Sequence, residues 1–297
     1  MSSFISRNKA YLPSDIRRSL RKVSMILKSF QVSDFVNNDL FRPSVYLLNR
    51  NSKMLRPALV LMGAKVAGKK ASDFVDLAVA TELMHTSSLI HDDMIDGDAT
   101  RRGVSAVHVK YGDAIALLAG DALLSKAISL ASRYGEHTLK SMARVSLDMC
   151  AGEILDYRCQ KSGRIPSPKE YLLIASLKSA SLIGACWSAA AIHSNNRISS
   201  KLYASGIDLG MAFQIRDDVM DFIREARSGS SKSVAPNMVS SMQRSRGLSK
   251  NEALLKSVQL NNKYIDRSES RLRHSSAYSV FSNYAELIRM SLTLFRI

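Results

Sequence analysis

Two clusters of aspartates in this sequence share the same spacing and could bind divalent cations. The first is Asp92-Asp93-Met94-Ile95-Asp96, and 125 residues after its start comes the second, Asp217-Asp218-Val219-Met220-Asp221. In a helix of 3.6 residues per turn, the first and last aspartates of each cluster lie on one face. Mg²⁺ binds one or two carboxylates and fills its other positions with water and phosphate oxygens. Two such faces turned toward each other therefore predict an all-oxygen Mg²⁺ site and a phosphorylated substrate.

Cationic and imidazole side chains near the first cluster could bind phosphate. The candidates are Lys53, Arg56, His85, Arg101 and Arg102. Guanidinium groups bind phosphate oxygens in pairs, which suits a diphosphate. Each of these residues taken alone is more typical of surface charge or of a structural histidine. Beside the aspartates, Arg101 and Arg102 are candidate partners of a diphosphate. Lys53 and Arg56, one helical turn apart, could form a second phosphate clamp.

Aspartates on a helix more often form a solvated face than a metal site. Both clusters, however, adjoin strongly apolar segments, Thr81–Ile90 and Gly206–Phe213. Carboxylates beside such surfaces repel one another and lose hydration unless cations bind. Cation binding is therefore the favoured interpretation.

Helical periodicity dominates the chain. The predicted helical segments are Leu77–Asp92, Asp113–Ala131, Tyr171–Ala191 and Ile198–Ile223, with Arg56-Pro57 at a further helix start. Alternating Val, Ile and Thr runs are missing, and loops are expected at Gly97–Gly103 and Gly163–Pro168. No Gly/Ser linker divides the chain, and the two clusters must meet. We predict one all-α domain over residues 1–297.

The net charge of +16 is concentrated at the two ends of the chain. Residues 1–56 hold 11 Lys/Arg against 3 acids, and residues 224–297 hold 13 against 5. Such a basic shell attracts polyanionic substrates, anionic membranes or nucleic acid. Nucleic acid is not expected as a main partner, because the sequence has no RRM, KH or zinc-finger pattern and aromatics are only 7%. Peripheral contact with an anionic membrane stays open.

Composition also bears on location. No stretch approaches 18 uninterrupted apolar residues, which argues against a transmembrane span. The three cysteines have no metal-type spacing and fit a reducing compartment, so we expect a cytoplasmic protein. Residues 1–28 faintly resemble a transit peptide, but a first helix of the domain is the favoured reading.

The combined motifs resemble the trans-isoprenyl diphosphate synthases of the polyprenyl synthetase family over roughly residues 40–225. The matching stretches are Lys53–Pro57, Glu82–Asp96, Thr100–Gly103, Val107–Gly112, Ala119–Asp121, Gly152-Glu153, Lys178–Leu182 and Phe213–Asp221. This resemblance implies an isoprenoid synthase fold, a helical bundle around a deep central cavity, usually as a homodimer. It also implies Mg²⁺ as cofactor.

The resemblance implies a role for each candidate residue. The metal-binding set is Asp92, Asp93, Asp96, Asp217, Asp218 and Asp221, with Asp92, Asp96 and Asp217 as direct ligands. The allylic diphosphate would contact Arg101, Lys178, Ser179 and Gln214. Isopentenyl diphosphate would contact Lys53, Arg56, His85 and Arg102. The implied reaction condenses these two substrates into an all-trans polyprenyl diphosphate.

Product length follows from the residues below the metal site. Ser87 and Ser88 lie about one helical turn, roughly 6–7 Å, before Asp92. Similar enzymes that make short products place bulky aromatics there as a cavity floor, whereas two serines leave the floor open. The product is then expected to extend past Met84 and to be C20 or longer.

The sequence departs from the family pattern after the second cluster. Lys232 is a stand-in for the usual lysine there, and from about Asn237 onward the similarity fades. One alternative is therefore a non-catalytic or regulatory subunit of a heteromeric synthase. A class I terpene cyclase is a second, although it would not need the isopentenyl clamp. A metal phosphohydrolase reading of His91-Asp92 leaves the second cluster unexplained.

Overall fold

The computed structural model describes residues 12–50, 52, 54–194, 196–228 and 237–273. In these ranges the chain is helical apart from one short hairpin, so the all-α prediction is confirmed. Contacts divide the chain into two compact units. The expectation of one domain around a central cavity stays a prediction.

The first unit comprises the described residues of Met1–Lys140 and of Ala189–Arg197. Its helices are α1 (Ser14–Ser29), α2 (Asn38–Tyr46), α3 (Leu55–Val66), α4 (Val75–Asp96), α5 (Val107–Tyr111) and α6 (Asp113–Ala131). A hairpin of β1 (Thr100–Arg101) and β2 (Val104–Ser105) lies between α4 and α5. Short 3₁₀ turns lie at Val32–Asp34, Ala71–Phe74 and Ser132–Tyr134.

Helices α3 and α4 form the core of the first unit because they are apolar on nearly all sides. Leu59, Leu61 and Leu83 are fully buried. Helix α3 begins at Leu55 with Pro57 in its first turn, as the sequence predicted. Helix α1 is amphipathic instead, and its apolar residues, spaced three or four apart, form one buried face.

The second unit comprises Ser141–Ser188 and the described residues of Ile198–Ile297. Helix α7 (Gly135–Lys161) begins in the first unit and α9 (Ser181–His193) ends in it. The remaining segments are α8 (Pro168–Ala175), a π-helical turn (Ser176–Ala180), α10 (Ser199–Ser228), α11 (Met238–Arg246) and α12 (Lys250–Ser270). The π-helical turn interrupts the helix predicted over Tyr171–Ala191, since a 3.6-residue pattern does not reveal one inserted residue.

Helix α10 organises the second unit. Its apolar residues pack in a cluster with α8, α11 and α12 that includes Tyr171, Ile215, Val219 and Met238. The buried Asp208 also ties α10 to α12, because it accepts hydrogen bonds from Arg267 and Arg271. The part of the chain whose sequence diverges after Asn237 therefore still supplies two helices to this core.

Two helical stretches are long and apolar enough to cross a membrane on length and composition alone. They are Asp113–Lys161 and Pro168–His193. The core helix of a soluble protein meets the same criteria. The most apolar window of the second stretch is 67% buried, whereas that of the first is only 33% buried. The first stretch therefore leaves an apolar surface exposed.

Candidate active site

The first aspartate cluster occupies the last turn of α4. The helix ends at Asp96, and the next residue, Gly97, has a φ of 69° in the left-handed region that glycine adopts at helix ends. Asp92 is half-buried and Asp96 is exposed, whereas Asp93 is fully buried. The two aspartates that the spacing placed on one face are thus the accessible ones.

Asp93 is held by the hairpin that follows the helix. Arg101 donates from Nε to Asp93 Oδ1 at 2.6 Å, and from Nη2 to Asp98 Oδ2 at 3.0 Å. Burial raises the pKa of Asp93 although the adjacent guanidinium opposes the shift. Asp93, predicted as a metal-binding residue, thus has one oxygen in a buried ion pair that fixes Arg101.

The segment predicted as a loop, Gly97–Gly103, contains part of this hairpin. Thr100 pairs with Ser105 and Arg101 with Val104. The two turn residues, Arg102 and Gly103, have φ values of 54° and 77°. Two successive positive φ values are typical of the tight turns that join antiparallel strands. The hairpin thereby directs two successive arginines to different partners.

Arg102 contacts two segments that precede the hairpin in the chain. It donates from Nη1 to the carbonyl of Leu47 at 2.9 Å and from Nη2 to Glu82 Oε1 at 3.3 Å. In the described part of the chain these contacts use two of the five N–H groups of a guanidinium. The remaining N–H groups can bind a substrate oxygen.

His85 lies among the arginines predicted to clamp a diphosphate. Its pKa is lowered well below 6.5, first by burial and then by the charges of Arg56, Arg102 and Arg101. The imidazole is therefore neutral near pH 7. Arg56 and Arg102 thus lie near enough to His85 for their charges to act on it, while Lys53 lies outside the described residues.

The residues predicted to set product length lie one and two turns earlier on α4. Ser87 is buried and donates from Oγ to the carbonyl of Gly120 on α6 at 2.7 Å. Ser88 is half-buried and donates to the carbonyl of His85 at 2.9 Å. Met84 is buried one turn further from the cluster. Serines thus occupy the positions at which similar enzymes with short products have bulky aromatic side chains.

The second cluster lies on α10 and repeats the arrangement of the first. Asp218 is buried and accepts from Gln214 Nε2 at 3.0 Å and from the backbone N of Met238 at 2.8 Å. Burial is the main cause that raises its pKa to about 7. Asp217 and Asp221 are more accessible and form ion pairs with neighbouring arginines. The middle aspartate is again buried and hydrogen-bonded within the fold, and the outer two are accessible to solvent while paired with arginines.

The π-helical turn presents the remaining predicted residues of the second unit. Lys178 Nζ lies 2.7 Å from Glu153 Oε2 and 2.8 Å from Asp156 Oδ2, both on α7. Ser179 donates to Gln214 Oε1 at 2.9 Å. No role was predicted for Glu153 or Asp156. Their spacing of three residues on a helix was the available signal.

The open aspartate pairs suit Mg²⁺. No group of three or more His, Cys, Asp or Glu side chains within the described ranges could hold an ion by itself. Mg²⁺ does not require such a cage, because it keeps waters and takes phosphate oxygens beside one or two carboxylates. The two pairs belong to different units, so their meeting across a shared site stays a prediction. Lys232 lies outside the described residues.

Comparison with protein families gives a match to the polyprenyl synthetase model over residues 37–235. The chain belongs to the polyprenyl synthetase family. The matched region covers both aspartate clusters and ends where the similarity was expected to fade.

Curated members of the polyprenyl synthetase family resemble this chain over part of their length. A short chain isoprenyl diphosphate synthase of Methanothermobacter thermautotrophicus is 36% identical over 204 residues, 66% of this chain and 62% of that protein. A geranylgeranyl diphosphate synthase of Methanosarcina mazei is 35% identical over 191 residues, 62% of this chain and 59% of that protein. The alignments thus span about three fifths of these relatives.

The fold extends further than the sequence alignments. The geranylgeranyl pyrophosphate synthetase structure from Geoglobus acetivorans matches with a TM-score of 0.79, covering 92% of this chain and 95% of that one. The sequence identity is 22%, so this likeness establishes the fold alone. The polyprenyl synthetase chain has the helical fold that its motifs implied.

Proposed function

We propose that this protein is a Mg²⁺-dependent trans-prenyltransferase. It condenses isopentenyl diphosphate with an allylic diphosphate and releases an all-trans polyprenyl diphosphate of C20 or longer. Family membership supports the reaction class, and the names of the curated relatives describe isoprenyl and geranylgeranyl diphosphate synthases.

One observation carries the proposal. Helix α4 bears the accessible pair Asp92 and Asp96 at its end, and the neutral His85 two turns earlier. The charges of Arg56 and Arg102 act on that imidazole. Helix α4 thus carries both a carboxylate pair for a cation and the imidazole on which the charges of Arg56 (on α3) and Arg102 (in the hairpin turn) act, as a site for a second phosphate group would require. A prenyl synthase needs both, because it holds two diphosphates at once.

The chemistry of the carboxylates fits the expected cation. Asp92 and Asp96 in the first unit, and Asp217 and Asp221 in the second, supply hard oxygen ligands. When bound, Mg²⁺ neutralises the charge that develops on a departing diphosphate. Asp93 and Asp218 support these pairs from within the protein.

The side chains of the second unit suit the allylic substrate. Lys178 supplies a positive charge, while the Ser179 hydroxyl and Gln214 amide supply hydrogen bonds. When the allylic carbon–oxygen bond breaks, its electron pair leaves with the diphosphate, whose charge Lys178 helps to balance. The allylic cation that remains needs an apolar surrounding that excludes water.

The cluster of the first unit suits isopentenyl diphosphate. Arg56 and Arg102 bind its phosphate oxygens, and the neutral His85 completes the clamp. The terminal double bond supplies the electron pair of the new carbon–carbon bond to the allylic cation. A proton then leaves the adjacent carbon, and the departed diphosphate accepts it.

The same cluster argues against a terpene cyclase. A cyclase ionises one allylic diphosphate and needs no second phosphate clamp. A non-catalytic subunit would not need the open carboxylate pairs. The hypothesis of a non-catalytic subunit is supported only by the sequence divergence after Asn237. Experiment must decide whether this chain is active without a partner subunit.

The decisive test is incubation of purified protein with labelled isopentenyl diphosphate, an allylic primer and Mg²⁺, followed by sizing of the products. We expect labelled polyprenyl diphosphates of C20 or longer, and none after chelation of Mg²⁺. Cyclic hydrocarbon from the primer alone would favour the cyclase. Absence of any product, restored by a partner subunit, would favour the regulatory role.

The homodimer expected from the resemblance is part of this proposal. On α6, Leu117, Leu118 and Ile128 are about half exposed, at a spacing that places them along one side of the helix. A second copy of this chain would cover that apolar surface. Light scattering should give twice the chain mass of 32.8 kDa, and Leu118→Arg should shift it toward the monomer. A monomeric mass for the wild-type protein would contradict the dimer.

A further inference from the structure

Glu82, in the middle of α4, is a buried carboxylate to which the proposed reaction gives no role. Glu82 is only 1% exposed to solvent. A buried charge is unfavourable unless it is paired and hydrogen-bonded. Glu82 Oε1 accepts hydrogen bonds from the hydroxyl of Ser52 and from Nη2 of Arg102, the latter at 3.3 Å. One carboxylate therefore joins the segment before α3 to the turn of the hairpin.

Both of these segments contain a residue in an unfavourable backbone conformation. Met54 has a φ of 53° and Arg102 a φ of 54°. Among the described residues they are two of the three non-glycine residues with a positive φ. A side chain with a Cβ adopts this region only when its surroundings hold it there.

The contacts of Glu82 are placed to hold both conformations. Ser52 Oγ, which donates to Glu82, also accepts from the backbone N of Met54 at 3.1 Å. Arg102, which donates to Glu82, has its second anchor at the carbonyl of Leu47, 2.9 Å away. The carboxylate thus stabilises one strained turn through a serine and the other through the arginine itself.

Each of these two turns positions an arginine whose charge acts on His85. Arg56 follows Met54 by two residues, and Arg102 is itself the strained residue. Their charges converge on His85, which lies three residues after Glu82 and therefore on the same side of α4. Glycine would relieve the strain at position 102 but would remove the guanidinium, so the conformation is maintained for the side chain.

We propose that Glu82 is the positioning residue of the isopentenyl diphosphate clamp. It fixes the guanidinium of Arg102 and, through Ser52, the turn that leads to Arg56. It does not touch the substrate. This inference rests on the proposed function, because that function assigns isopentenyl diphosphate to the cluster.

The test compares Glu82→Gln with wild type in steady-state kinetics for each substrate. We expect KM for isopentenyl diphosphate to rise about tenfold, while KM for the allylic primer and kcat at saturation change by less than about threefold. Binding of isopentenyl diphosphate alone should weaken by a similar factor. Asp76→Asn is the matched control, since Asp76 pairs with Arg133 at the other end of α4. It should leave both KM values unchanged.

Ser52→Ala keeps the inference testable if Glu82→Gln does not fold. It removes one of the two contacts at a half-buried position, and it should raise KM for isopentenyl diphosphate about threefold. The inference would be overturned if KM rose equally for isopentenyl diphosphate and the allylic primer. It would also be overturned if KM for isopentenyl diphosphate rose in neither Glu82→Gln nor Ser52→Ala. Absence of condensation activity in the wild-type protein would instead overturn the proposed function. The inference would still be testable in that case, by comparing the affinity of wild type and of Glu82→Gln for isopentenyl diphosphate.

Discussion

Arg101 Nε lies 2.6 Å from Oδ1 of Asp93, whose side chain is fully buried. This ion pair separates the roles of adjacent aspartates in the first cluster. The inner carboxylate fixes the hairpin, and its outer neighbours stay accessible to a cation. Asp218 is held in the same way in the second cluster, by Gln214 and the backbone of Met238.

The two roles predict different effects of alanine at neighbouring positions. Asp92→Ala should lower condensation activity at least about 100-fold, because a transition-state charge loses its stabilisation. Its thermal unfolding should be unchanged. Asp93→Ala should instead lower the free energy of unfolding by about 2 kcal/mol, because Arg101 loses its buried acceptor. Urea unfolding and product assays on both variants test this, and similar unfolding curves for the two would contradict it.

The residues below the first cluster predict opposite changes in product length. Ser87→Phe places a ring one turn from Asp92 and should shorten the product. Met84→Ala removes a buried side chain one turn deeper and should lengthen it, at a cost of about 2–5 kcal/mol in stability. Chromatography of the dephosphorylated products measures both. A product distribution unaltered in either variant would reject this location of the cavity floor.

Asp218 predicts a pH dependence of stability in metal-free protein. Its pKa is raised from 3.8 to about 7 in the fold, so the folded state binds the proton more tightly than the unfolded state. The stabilising contribution is therefore complete below pH 3.8 and is lost as the pH rises through 7. The free energy of unfolding should be higher at pH 5 than at pH 8 by roughly 2–3 kcal/mol from this group.

Urea unfolding with chelator at the two pH values measures this difference. Asp218→Asn carries no titrating group and should lose that part of the pH dependence. The same dependence in wild type and variant would show that other groups are responsible.

Gly152 lies where α7 packs closely against the π-helical turn. A Cβ at this position would lie 2.4 Å from the backbone N of Lys178. Gly152→Ala should therefore destabilise the protein by about 1–3 kcal/mol and lower kcat by displacing Lys178. The exposed neighbour Ala151 provides the control, Ala151→Ser. Equal melting temperatures for the two variants would disprove the close contact.

Much of the fold was predictable from the sequence because apolar periodicity is strong in long helices. Helix α6 begins and ends at the predicted residues, Asp113 and Ala131. The hairpin after α4 was not foreseen, since four strand residues give no pattern and Arg102 is an unusual residue for a positive φ. The π-helical turn was missed because it differs from an α-helix by a single residue.

The residue types of the candidate site were predictable, but which aspartates are accessible and which are buried within the fold was not. Spacing on a helix identified the outer aspartates as one face. Only tertiary packing distinguishes them from Asp93 and Asp218, whose partners come from a later hairpin and from α11. Glu82 was likewise read as part of a matching stretch, because burial and pairing with Arg102 cannot be seen in one dimension.

The π-helical turn at Ser176–Ala180 has a consequence for how this chain can vary. Deleting one residue there would restore a regular helix and rotate everything that follows by about 100°, the angle between successive residues. The hydroxyl of Ser179 would then leave Gln214. Gly184 of α9 would also leave Gly206 of α10, to which it packs so closely that a Cβ on Gly206 would lie 2.7 Å from the Cα of Gly184. A change of length by a single codon in this segment would therefore break all of these contacts at once.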